Sequence, residues 1–87
     1  MYALKLSDKI TEIFRKMEKK NRKQLDIINK KVLEIRENPH RFKPLSNIMK
    51  GFRRVHFGSY VLTYHIDENN KIIALEDYDH HDKIYKK

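Results

Sequence analysis

The sequence predicts an α+β domain: two antiparallel helices packed on one face of a mostly antiparallel four-stranded sheet, in the order β-α-α-β-β-β. Three observations predict it. Apolar residues recur at helical spacing through residues 7–38, and beyond residue 50 the apolar period shortens to two. A short alternating segment also precedes the helices, and it has to pair with one of the later strands to join a sheet. At 87 residues, the expectation is a single domain over 1–87.

The first strand is Tyr2–Leu6, where Tyr2, Leu4 and Leu6 alternate with Ala3 and Lys5 and predict one buried face. Ser7 follows as an N-cap, its hydroxyl placed to accept a free N–H of the first turn. Ile10, Ile13, Phe14 and Met17 make the apolar stripe of helix one, and Lys19 and Lys20 suit the negative end of its dipole. Asn21 with Gln24 reads as a second N-cap, and Leu25, Ile28, Val32 and Ile35 form the stripe of helix two. Asn38-Pro39 ends it, because a residue before proline avoids the helical region.

Residues 40–50 form a connection in which Pro44 disfavours a helix. Val55 and Phe57 then alternate with Arg54 and His56. Gly58-Ser59 marks a two-residue hairpin, with Gly placed for a type II′ turn. Tyr60, Leu62, Tyr64 and Ile66 alternate with Val61, Thr63 and His65, and residues 67–70 are the next turn. The last strand is Lys71–Tyr78, and its near-continuous apolar run Ile72–Leu75 predicts a central position. Residues 79–87 are a charged tail with room for one helical turn.

Composition bounds the chemistry. A chain this short buries roughly 60–65% of its unfolded surface and supports one modest core. The absence of cysteine excludes disulfides, thiolate metal sites and thiol catalysis, and it points to a reducing cytoplasm. No apolar run approaches the roughly 20 residues of a membrane span, and no signal peptide is read at the start, so no membrane partner is expected. The net charge is +8, and all of it falls in residues 1–50, with 14 basic and 6 acidic side chains, while residues 51–87 carry 6 of each. That field suits a polyanion, nucleic acid foremost.

Two constellations carry candidate chemistry. The hairpin register sets Arg54, His56, Val61, Thr63 and His65 on one face, opposite the apolar face of Val55, Phe57, Tyr60, Leu62 and Tyr64. The tail Asp77-Tyr78-Asp79-His80-His81-Asp82, with Tyr85 following, gathers two imidazoles among three carboxylates. Carboxylates beside an imidazole favour its protonated form, which near neutral pH is a ready general acid. The same residues suit a divalent metal, but adjacent histidines in a strand point oppositely, so joint ligation needs a turn between them. Arg41, Lys43, Lys50, Arg53 and Arg54, interleaved with Phe42 and Phe52, suit a nucleic acid backbone with stacked bases, or a basic loop with buried aromatic anchors.

Element order and these motifs together resemble the RelE/ParE toxin superfamily of type II toxin–antitoxin systems. The resemblance rests on Pro44-Leu45, Lys50-Gly51-Phe52-Arg53, Val55-His56, Tyr60-Val61-Leu62-Thr63-Tyr64 and the ending His80-His81-Asp82-Lys83-Ile84-Tyr85. It is nearest the histidine-using RelE/YafQ-like branch. It implies a ribosome-dependent mRNA endonuclease that cuts without metal or other cofactor by attack of the RNA 2′-hydroxyl. By position it implies catalytic roles for His56, His81, Arg54 and Tyr85, and RNA binding by Lys43, Lys50, Arg53 and His80. Val61 stands where RelE carries a transition-state arginine, Lys43 where the YafQ-like branch has a histidine, and Ser59 in place of an acidic residue.

The implied roles are His81 as general acid beside Asp79 and Asp82, and His56 as base beside Arg54, with exchange of the two left open. The implied partners are mRNA in the ribosomal A site, the ribosome, and a cognate acidic antitoxin. Two alternatives stand beside this reading: a non-nuclease, ParE-like gyrase inhibitor, and a binding module whose active site has decayed.

Overall fold

The computed structural model describes residues 1–44 and 51–85. The elements run β1 (Ala3–Leu6), α1 (Asp8–Lys20), α2 (Arg22–Glu37), a 3₁₀ turn (Pro39–Arg41), β2 (Phe52–Phe57), β3 (Tyr60–Asp67), β4 (Ile72–His80) and α3 (His81–Tyr85). The four strands make one sheet in the order β1-β4-β3-β2. β1 pairs parallel with β4, and the other two pairings are antiparallel. β4 is therefore central, as its apolar run predicts.

The caps form where the sequence places them. Ser7 Oγ accepts the Ile10 N–H at 3.1 Å, and Asn21 Oδ1 accepts the Gln24 N–H at 3.3 Å. Asn21 also closes α1, its own N–H bonding the Met17 carbonyl at 2.8 Å, so one residue ends one helix and starts the next. The core is the contact between the helix stripes and the sheet: Ile10, Ile28, Val32 and Ile35 against Val55, Leu62, Tyr64, Ile73, Leu75 and Tyr78, all buried. Gly58 takes φ +61° while Ser59 does not have a positive φ, as a type II′ turn requires. The predicted register follows: Phe57 opposite Tyr60, His56 opposite Val61, Arg54 opposite Thr63.

Three expectations are corrected, and the predicted end of α2 is met with one addition. Leu4 and Leu6 are both 38% exposed, so β1 has no fully buried face; as the sheet edge it is only partly covered, and Tyr2 supplies its packing. Asn38-Pro39 ends α2 but leads into a 3₁₀ turn, with proline at its first position. β4 extends past Tyr78 to His80, because a bulge resets its alternation: Thr63 pairs with Asp77 and the next residue, Tyr64, pairs with Leu75, leaving Glu76 as the extra residue. Finally, the sheet face away from the long helices is not open throughout. The tail forms α3, which folds onto β3 and β4, and Val61, Thr63 and Ile84 are buried there.

Candidate active site

The hairpin turn and the return of the tail set the site. Antiparallel pairing of β3 with β4 brings His80 opposite Tyr60, beside the β2–β3 turn. The His81 N–H then bonds the Ser59 carbonyl at 2.9 Å and fixes where α3 begins. α3 carries Tyr85 back over the hairpin, where its hydroxyl lies 3.3 Å from His56 Nε2. The Arg54 guanidinium sits 5.5 Å from the centre of the Tyr85 ring, a cation–π contact. Two strand residues and one tail residue, 29 positions from His56, thus form one cluster.

His56 is exposed, yet its pKa is lowered from the ordinary imidazole value, first by the burial it does have and then by repulsion from Arg54, His81 and Lys43. The same contributions place Lys43, Arg54, His56 and His81 in one electrostatic neighbourhood. Lys43 precedes β2, and its carbonyl accepts the Arg54 N–H at 3.0 Å. Arg41, Phe42, Lys43, Arg54, Val55 and His56 line a cleft of about 430 Å³ with a cationic rim. Lys31 and Arg41 flank the Phe42 ring at 5.9 and 5.8 Å.

At the other side of the cluster, the His80 and His81 rings stack, with centroids 4.5 Å apart and planes at 29°. Asp82 serves both: its Oδ1 is 3.1 Å from His81 Nδ1 and its Oδ2 3.6 Å from His80 Nδ1. The Asp82 N–H also donates to His80 Nδ1 at 3.2 Å, which places the proton of a neutral His80 on Nε2. Asp79 is turned elsewhere. One of its oxygens accepts the His80 N–H at 2.8 Å and the other faces Lys9 at 3.9 Å, so Asp82 is the carboxylate that the structure sets against the histidines.

Arg54, His56, Lys43, His81 and Tyr85 are brought together. Arg53 is not: it shares the alternation of Val55 and Phe57, and its guanidinium donates to the carbonyls of Phe42 at 2.6 Å and His40 at 3.4 Å. It braces the segment that carries Lys43. Lys50 lies outside the described residues. Tyr60 is a participant that sequence reasoning assigned only to the apolar face. It meets His80 edge-on at 5.8 Å and stacks on Tyr78 at 5.3 Å, a role visible only once the β3–β4 register is known.

This arrangement, a small mixed sheet with two long helices on one face and a C-terminal turn on the other, is a fold of known architecture. The Escherichia coli RelE toxin, both isolated and in the intact RelBE toxin–antitoxin complex, superposes with a TM-score of 0.79 at 17% identity. The superposition covers 92% of this chain in each case, and 84% and 96% of the matched chains. In sequence, a Methanosarcina mazei protein is 51% identical over 86 residues, 98% of this chain and all of that one. A Methanocaldococcus jannaschii protein named "Putative toxin RelE4" is 43% identical over 88 residues, covering all of this chain and 94% of its own. Residues 2–85 match the family described as ParE toxin of type II toxin-antitoxin system, parDE. The chain belongs to that family, within the RelE/ParE toxin superfamily.

Proposed function

We propose that this toxin is a ribosome-dependent mRNA endonuclease that inhibits translation by attack of the RNA 2′-hydroxyl on the adjacent phosphate. The observation that supports it is the convergence of Arg54, His56 and Tyr85, with His81 and Lys43 close enough to repel the His56 cation. The reaction needs a base, a cation and an acid, and this cluster offers each.

His56 takes the 2′-hydroxyl proton, because its lowered pKa keeps it neutral near pH 7. In the free protein the Tyr85 hydroxyl occupies Nε2; the substrate hydroxyl replaces it there, and the Tyr85 ring, 36% exposed, stacks on a base. The 2′-oxygen bonds to phosphorus, the bond to the 5′-oxygen breaks, and His81 protonates that leaving oxygen. The products are a 2′,3′-cyclic phosphate and a 5′-hydroxyl. Arg54 and Lys43 hold the phosphorane charge. Val61 is fully buried and apolar, so no cation approaches from the strand position opposite His56. His80 lines the RNA path beside Tyr60.

An antitoxin encoded beside it restrains the toxin, and the +8 charge makes an acidic inhibitor the expected partner. The match to the ParE description favours one second reading, gyrase inhibition. The deciding experiment runs purified toxin in a translation reaction with primer extension and, in parallel, in a gyrase supercoiling assay. Cuts within translated mRNA support the nuclease; loss of supercoiling without cuts supports the second reading.

A further inference from the structure

We propose that His80, His81 and Asp82 form a binding site for a divalent transition-metal ion of the zinc class, and that the ion, when bound, switches the toxin's site off. Within a strand, two adjacent histidines project to opposite faces and cannot share an ion. Here the strand ends at His80 and the helix begins at His81, and that change of conformation is the turn joint ligation requires. The rings come to lie against each other, 4.5 Å apart.

Ligand atoms from the three residues all lie within 4.8 Å of one another. Asp82 presents one oxygen to each imidazole, at 3.1 Å from His81 Nδ1 and 3.6 Å from His80 Nδ1. A tetrahedral ion with bonds of about 2.0–2.1 Å holds its ligands about 3.3 Å apart, so the cluster is near ligating spacing. Two imidazoles and one carboxylate form a donor set for zinc, nickel or copper; magnesium and calcium prefer all-oxygen shells. Three protein ligands leave one position for water.

The surroundings hold the ligands in place and leave an entry. The His81 N–H is anchored on Ser59, and Tyr60 packs edge-on against His80. The side chains of His80, His81 and Asp82 keep 37%, 45% and 62% of their exposure, so an ion enters from solvent. Ligation through His80 Nδ1 exchanges the bond from the Asp82 N–H for a bond to metal. The inhibitory half rests on the nuclease reading: an ion on His81 Nδ1 takes the place of that nitrogen's proton, so the ring can no longer be the imidazolium that gives the leaving oxygen its proton.

The test titrates the purified full chain with Co²⁺ as a spectroscopic probe and with Zn²⁺ by calorimetry. The expected result is one ion per chain and a visible Co²⁺ absorption that Zn²⁺ displaces. His80→Ala and His81→Ala should each weaken binding at least about 10-fold, while His40→Ala, distant and paired with Glu68, leaves it unchanged. Imidazole resonances of the wild-type chain give a readout that needs no variant: those of His80 and His81 shift with Zn²⁺ and those of His40 and His65 do not. No saturable binding, or resonances that move equally at all histidines, overturns the site. RNA cleavage is then compared with Zn²⁺ and with chelator. Cleavage unchanged at saturating Zn²⁺ overturns the inhibitory half. Absence of cleavage in both removes that half together with the nuclease reading, and the binding result stands by itself.

Discussion

His56 and His81 share a side chain and differ in their neighbours. His56 has Arg54 beside it and no carboxylate contact among the described residues, whereas His81 has Asp82 at 3.1 Å. On this asymmetry the proposed nuclease mechanism makes His56 the base and His81 the acid. His81→Ala should lower cleavage about 10²–10⁴-fold in a protein that remains folded, measured by initial rates on translated mRNA; an unchanged rate removes the assignment. The pH profile gives a second check. A lowered His56 pKa keeps the base competent below the ordinary imidazole value of about 6.5, so the acid limb of kcat/KM falls below that pH. Arg54→Gln removes one source of repulsion and should move that limb upward; a downward shift would contradict the base role. That His56, His81 and Tyr85 belong to one neighbourhood was legible in the sequence by their motif positions. The partnership of Asp82 rather than Asp79 was not, because it depends on where the strand stops. The placement of Arg53 was implicit in its spacing from Val55, since alternation puts the two on one face.

At the scale of elements, two side chains of β3 show how the sheet is fastened. Tyr64 is fully buried and its hydroxyl donates to the Pro39 carbonyl at 2.6 Å, tying the sheet to the turn after α2; burial raises its pKa to about 12. Tyr64→Phe leaves that carbonyl without its partner and should cost about 1–3 kcal/mol in urea unfolding. Thr63 is the contrary case. Among the described residues its hydroxyl is buried without a hydrogen-bond partner, on the face α3 covers. Thr63→Val should be neutral or stabilising; a loss above about 1 kcal/mol in the same unfolding measurement would mean the hydroxyl is satisfied in solution. Helices and caps were readable from the sequence because their signals are local: Ser7, Asn21 and the apolar stripes. The end of β4 was not, because the extra residue Glu76 breaks the two-residue period and makes Asp79 and His80 look like tail. The exposure of Leu4 and Leu6 likewise follows from the edge position of β1, which alternation alone does not reveal.

For the whole molecule, charge and topology act together. The +8 field predicts fast, salt-sensitive association with an acidic antitoxin, since exposed charges are screened within about 8 Å at physiological ionic strength. Association rates with the product of the adjacent small open reading frame, at low and high salt, check this; indifference to salt would contradict it. Topology, for its part, brings residues from the β2–β3 hairpin and the C-terminal turn into one cluster. The most direct measurement of what the cluster does is primer extension on mRNA mixed with purified toxin, with and without translating ribosomes. Cuts that require ribosomes, and that His81→Ala abolishes, are the predicted result. Intact mRNA in the presence of ribosomes and active wild-type toxin would contradict it.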